Sequence, residues 1–286
     1  MGLASLWQRL HGRTADPHTA HGGRPIPDAL WQATLSEYGF LQALPTDEQG
    51  KLRQLASHFL GQKEFHGAQG LEVTDAMAVA IAAQACLPLL HWGAPEQALR
   101  WYGDFVGIVV HPGEVVARRE AVDEAGVVHH YDEVLSGEAM EHGPVMLSWQ
   151  DVAAAGSSAE TGYNVVVHEF AHKIDMRNGE PDGCPPLPAG FMGATSPRAA
   201  HAAWRAVLEP AFDAFREQVI IAERFGGAEP WLDPYGAESP TEFFAVACEA
   251  YFVNRSRFGE EFAGLLALFD TFFRPAAQPA ADGSGS

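Results

Sequence analysis

At 286 residues, 47% of them hydrophobic and 19% charged, the chain is long enough to bury a substantial core, as one domain or as two closely joined ones. A formal net charge of −19 argues against direct contact with a nucleic-acid backbone, which needs clustered Lys and Arg, and fits a soluble protein open to basic partners or substrates. Cys86, Cys184 and Cys248 form no CxxC pair and no even set, which disfavours a disulfide scaffold and suits a reducing cytosol.

The start, Met1 to Leu10, is too broken by polar residues to be the apolar core of a signal peptide. Residues 1–25, rich in Gly, His and Pro after the first turns, read as a mobile arm. Thr46-Asp47-Glu48-Gln49 resembles a capping box, with Leu52, Leu55 and Phe59 following at helical spacing. Thr74-Asp75 opens a second helix with Met77, Ile81 and Cys86 among its apolar positions. Ala76 to Leu90 is the nearest approach to a membrane span, but Gln84 and Pro88 interrupt it; no membrane segment is expected, and the protein reads as cytoplasmic. Phe105–Val110, Glu114–Ala117, Val127–Tyr131 and Pro144–Trp149 read as strands. Neighbouring strand residues point to opposite faces, so His129-His130 is a poor chelating pair. His66, His91, His111 and His142 are isolated and read as surface or hydrogen-bonded histidines.

Val165 to Asp175 contains His168-Glu169-Phe170-Ala171-His172, an HExxH sequence. On a helix, residues four apart lie about 40° apart and one turn along, so His168 and His172 face one Zn²⁺ together. Glu169 lies beside them, placed to act as general base on a water. The apolar Val165, Val166, Val167, Phe170, Ala171 and Ile174 make this a buried helix, with Ser158 or Thr161 as its start and Asn178-Gly179 as its stop. Burying two imidazoles and a carboxyl needs compensation, which a metal provides.

The Pro- and Gly-rich loop of residues 180–197, with Cys184, reads equally as a rim or lid to a site and as a plain connection. A long helix follows from Ser196 to about Phe225, and residues 276–286 read as a disordered tail. A catalytic zinc needs a third protein ligand. The metzincin pattern fails, because it needs Gly at 175 and His at 178 where Asp175 and Asn178 stand. Carboxylates remain. Asp175 reads as a group orienting a histidine rather than a ligand. Glu242 fits a ligand, but Ser239-Pro240-Thr241-Glu242 is also a capping box, and Glu249, seven residues on, is a rival ligand or a supporting group.

His168-Glu169-Phe170-Ala171-His172-Lys173-Ile174-Asp175, taken with Tyr235-Gly236 and Pro240-Thr241-Glu242-Phe243-Phe244-Ala245, resembles the Mlc titration factor A family of bacterial zinc metallopeptidases. The likeness runs from about Ile26 to Pro275, including the Gly143–Trp149 strand. It implies an α+β, zincin-like, mostly helical domain over 26–275, with a small mixed sheet before the HExxH helix and a core similar to the protease domain of anthrax lethal factor. It also implies one Zn²⁺ on His168, His172 and Glu242, of gluzincin type, with Glu169 as base and Tyr235 stabilising the oxyanion. The spacing of 70 from His172 to Glu242 is wide for a gluzincin, so the long helix must fold back over the site. The activity implied is aminopeptidase-like cleavage of short peptides. The resemblance also implies binding and sequestration of the glucose-system repressor Mlc, in which case hydrolysis is secondary. A zinc of purely structural role, with Asp175 or Glu249 closing the fourth position, is the third reading. The Val145–Trp149 strand is the expected edge for an extended peptide to join.

Overall fold

The computed structural model describes residue 23, residues 25–122 and residues 128–275, with the backbone alone over 116–122 and 128–135. Nearly all of the expected N-terminal arm, and all of the expected tail, lie outside the described residues. The elements are α1 (Asp28–Glu37), α2 (Thr46–Gln62), β1 (Glu64–Gly67), α3 (Asp75–Cys86), β2 (Gly107–His111), β3 (Val115–Val122), β4 (Val128–Leu135), β5 (Gly137–Ala139) and β6 (Val145–Ser148). Then come α4 (Trp149–Ser158), α5 (Val165–Asp175), α6 (Pro197–Phe225), α7 (Pro240–Val253), α8 (Arg255–Glu261) and α9 (Ala263–Phe273), with single helical turns between some of them. The architecture is α+β, rich in helix with one small mixed sheet. Among the described residues, no helix is long and apolar enough to cross a membrane.

The sheet runs β1-β2-β6-β5: β1, β2 and β6 are parallel, and β5 is antiparallel to β6. β3 and β4 form a separate antiparallel hairpin. His129 and His130 lie in that hairpin, where only the backbone is described. β6 is therefore an inner strand, held by β2 on one side and β5 on the other, and cannot offer the edge expected of Val145–Trp149. The exposed edge beside α5 belongs to β5. Neither β1 nor β5 is legible as a run of β-formers, since both are short, polar or Gly-containing and owe their strand geometry to their neighbours.

α5 lies at the centre, against α7, α3, β5 and β6. Val166, Val167, Phe170 and Ile174 are fully buried, and Phe170 packs among the rings of Phe59, Tyr102 and Phe105. Its cap is Asn164, whose Oδ1 accepts from the Val167 N–H at 2.9 Å; neither Ser158 nor Thr161 serves, because a 3₁₀ turn and Gly162 intervene. The helix ends at Asp175, and a 3₁₀ turn leads to Gly179 at φ +127°. The expected box at Thr46 does not form either: Thr46 is already helical, and the Gln49 side chain turns to the carbonyls of Gln42 and Leu44. Thr74 caps α3 as expected.

The face of α5 turned away from the histidines carries Lys173, which is fully buried. Its ammonium donates to Asp104 Oδ2 at 3.0 Å and to the carbonyls of Met140 at 2.6 Å and Gly143 at 3.1 Å. Lys173 thus fastens the central helix to the turn between β5 and β6. Replacing Lys173 leaves buried Asp104 with only Arg177, 3.7 Å away, to offset its charge, and takes a donor from two carbonyls. Lys173→Met is expected to lower stability by about 3 kcal/mol, read from urea unfolding curves of the two proteins.

α6 does not cover the site. It lies behind α7, with the rings of Phe212 and Phe215 tilted against that of Phe243 at 5.7 and 5.4 Å, and none of its residues lines the cleft described below. The long connection after the histidines thus builds the wall that supports α7.

Candidate metal centre

α5 and α7 bring three side chains to one point. Nε2 of His168, Nε2 of His172 and Oε2 of Glu242 form a triangle with sides of 3.1, 3.2 and 3.2 Å. Ligand atoms around a tetrahedral Zn²⁺ with bonds of about 2.0–2.1 Å stand about 3.3 Å apart, so the triangle has the size of one face of such a site. Proton placement makes the same point. His168 Nδ1 lies 2.7 Å from Glu249 Oε1, and an ionised carboxylate only accepts, so Nδ1 carries a ring hydrogen and Nε2 is the nitrogen left to face a cation. Oε2 of Glu242, though buried, has no well-formed hydrogen bond. Two ring nitrogens and a carboxylate oxygen converging out of water call for positive charge between them, a proton or a metal ion in its place.

The electrostatics agree. Burial opposes charge on His168, but the carboxylates of Glu242 and Glu249 outweigh it and hold the imidazole well above its ordinary pKa. Burial likewise pushes the Glu242 carboxyl up, but the two imidazoles outweigh it and keep it well below the usual carboxylate range. The pocket favours positive charge at its centre.

Ser239 caps α7 by accepting from the Glu242 N–H at 3.2 Å, so half of the capping box exists. The Glu242 carboxylate turns instead to the histidines. Glu249 stands behind His168 and its second oxygen accepts from the backbone N–H of Asn164. Asn164 Nδ2 in turn donates to the buried Gln84 at 2.7 Å, so α7, the start of α5 and α3 share one polar network. No hydrogen bond joins Asp175 to a histidine, and its Oδ1 has no partner among the described residues. Its Oδ2 accepts from the Gly183 N–H at 2.8 Å, tying the following loop to α5, and burial pushes its carboxyl up to about 7. Neither carboxylate joins the triangle of His168, His172 and Glu242, which opens on a cleft of about 380 Å³. Pro181 lines that cleft and its carbonyl accepts from Thr241, so part of the 180–197 loop forms a rim.

Glu169 also lines the cleft, only 4% exposed. Burial pushes its carboxyl up to about 7 against the pull of His168 and His172. It lies flat on β5: a Cβ built on Gly137 would sit 2.4 Å from Glu169 Oε1. Gly137→Ala is expected to push the carboxylate aside and lower kcat about 10²-fold with metal content unchanged, measured by steady-state kinetics beside metal analysis. Tyr235 stands in the 3₁₀ turn Pro234–Ala237, where its N–H donates to Asp233 Oδ1, and its ring centroid is 6.0 Å from that of His168. Asn164 and Gly137 are absent from the site residues expected from sequence, and Gln84 enters there only as a break in the Ala76–Leu90 apolar run. An Asn just before an apolar helical run is a capping signal that marks Asn164, and a lone amide in an apolar run marks Gln84 as needing a buried partner; Gly137 has no local signal.

A His–His–Glu set drawn from two helices, with a buried acid beside it on an open cleft, is the equipment of a metal-dependent hydrolase. The profile of the family described as Glucose-regulated metallo-peptidase M90 matches residues 13–274, and the chain belongs to that family of metallopeptidases. It is 33% identical over 251 residues to Mlc titration factor A of Enterobacter sp. (strain 638), covering 87% of each chain. Against Mlc titration factor A of Klebsiella pneumoniae subsp. pneumoniae the identity is 33% over 261 residues, 91% of this chain and 89% of the other. The protein of that name from Edwardsiella ictaluri is 35% identical over 235 residues, 82% and 83% of the two chains.

Proposed function

We propose that this protein is a zinc-dependent peptidase of zincin-like, gluzincin type that hydrolyses short peptides from their amino end. The observation that carries the reading is the triangle of His168, His172 and Glu242 with Glu169 beside it. Zn²⁺ bound by these three residues would supply Lewis acidity and lower the pKa of a coordinated water to about 7. Glu169 takes the proton of the attacking water and returns it to the leaving amine. Tyr235 donates its phenol hydrogen to the oxyanion that develops as the carbonyl carbon becomes tetrahedral. The β5 edge offers main-chain groups to an extended substrate. Glu138 and Asp233 on the cleft wall suit a protonated amino terminus, which supports the aminopeptidase-like reading. Residues 26–275 act as one catalytic domain, and three free, buried cysteines support a reducing, cytoplasmic setting.

The test is hydrolysis of a chromogenic alanyl anilide before and after removal of metal by a chelator, then after zinc is restored. Loss and recovery of hydrolysis are expected; a zinc-loaded protein that cleaves neither the anilide nor short peptides would overturn the reading.

A second reading rests on the relatives' name. It makes the protein an anti-repressor that sequesters Mlc, without itself touching DNA, with hydrolysis secondary. Retention of Mlc by a Glu169→Ala variant as well as by wild type would show that binding and hydrolysis are separable.

A further inference from the structure

We propose that Asp182, Cys184 and His201 form a second metal site, for a thiophilic divalent cation of the Zn²⁺ type, that clamps the cleft rim to α6. Their ligand atoms lie within 4.8 Å of one another. One carboxylate, one thiolate and one imidazole are a donor set suited to zinc, and the site shares no residue with the His168–His172–Glu242 cluster. Ligand atoms around tetrahedral zinc stand about 3.3–3.8 Å apart, so side-chain rotations of about 1 Å complete the site.

The backbone that presents two of these ligands is already fixed. Gly183, at φ +78°, donates its N–H to Asp175 at 2.8 Å and accepts from Trp204 Nε1 at 2.8 Å. The Cys184 carbonyl accepts from Asn178 at 3.0 Å, and the Cys184 N–H donates to Asp182 Oδ1 at 3.0 Å, leaving Oδ2 for an ion. A Cβ on Gly183 would lie 2.6 Å from the Pro240 carbonyl oxygen, so the turn admits only glycine there. Trp204 and His201 are three residues apart on α6, so the helix that grips the turn also presents the third ligand. Holding the turn in advance reduces the ordering cost of binding. Cys184 is buried, while Asp182 is exposed and His201 half-buried, which gives an ion a path in and leaves a fourth position for water. Binding releases the thiol proton to solvent. Pro181, next to Asp182, lines the catalytic cleft and is bonded to Thr241, so an ion here stiffens the rim one residue away.

The experiment is a Co²⁺ titration of the metal-stripped full chain, followed in the near ultraviolet. A thiolate-to-Co²⁺ charge-transfer band reports this site alone, because the His168–His172–Glu242 cluster has no sulfur; failure of the catalytic reading would leave the band untouched. One such Co²⁺ per chain is expected in wild type and in Glu242→Ala, with bleaching by added Zn²⁺. Cys184→Ser should remove the band, and Asp182→Ala and His201→Ala should each weaken binding about 10-fold or more. Far-ultraviolet circular dichroism checks that the variants fold, and the wild-type titration decides if one does not. Absence of a band in wild type overturns the proposal. So does a band that persists in Cys184→Ser, or wild-type affinity in both folded Asp182→Ala and His201→Ala, which would mark a lone thiol.

Discussion

Glu169→Gln is expected to lower kcat for hydrolysis of an alanyl anilide by about 10³-fold while zinc content and KM stay near their wild-type values. The substitution keeps the shape that fits against Gly137, where even a methyl group would collide with Oε1, so the wall of the cleft stays in place. It removes the proton acceptor alone. Glu169 stands outside the triangle of His168, His172 and Glu242, so the metal should remain. Burial raises the Glu169 carboxyl toward about 7, which suits the proposed role of taking a proton from water and returning it to the leaving amine near neutral pH. Kinetics on zinc-loaded wild type and variant decide the matter. A fall of less than about tenfold would remove Glu169 from the base role; a fall accompanied by loss of zinc would make it part of the metal's support.

The centre of this site was legible because its chemistry is local. Two histidines one helical turn apart and an acid between them need only a helix, and the run Val165 to Ile174 supplies an apolar one. Glu242 was harder. Its backbone sits where a capping box predicts, and only the tertiary position of α7 against α5 decides that its carboxylate faces two imidazoles rather than its own helix end. The resemblance ranked it first, whereas residue spacing left Glu249 open. What escaped the sequence is long-range. β5 is three residues that become a strand by pairing with β6, and Gly137 is a site residue only because α5 packs across it. Asp175 lies close to the histidines along the helix, yet it turns to the Gly183 amide, a partner that a loop brings back eight residues later. The long helix before Tyr235 had an unmistakable apolar stripe, but a stripe does not say which layer it faces.

Glu242→Ala and Glu249→Gln should both weaken zinc binding, for different physical reasons that one pair of measurements separates. On the proposed assignment Glu242 is one of three protein ligands to an ion whose binding to such sites is worth on the order of 10 kcal/mol. Removing it should therefore cost about 10²–10³-fold in affinity. Saturating zinc should not restore normal turnover, because the coordination itself has changed. On the same assignment Glu249 would act on the metal only through His168, whose Nδ1 it holds at 2.7 Å so that Nε2 faces the ion. Gln keeps a hydrogen-bonding oxygen but loses the charge, so affinity should fall about 10–100-fold, and turnover per bound zinc should return toward the wild-type value when zinc is in excess. Competition with a chromogenic chelator gives the affinities, and activity at saturating zinc gives the second quantity. If Glu249→Gln also resisted rescue by zinc while Glu242→Ala recovered, the two carboxylates would have to exchange roles. The geometry speaks against that exchange. The oxygen nearest both imidazole Nε2 atoms is that of Glu242, and both oxygens of Glu249 are already engaged, one by the His168 ring and one by the amide that begins the helix.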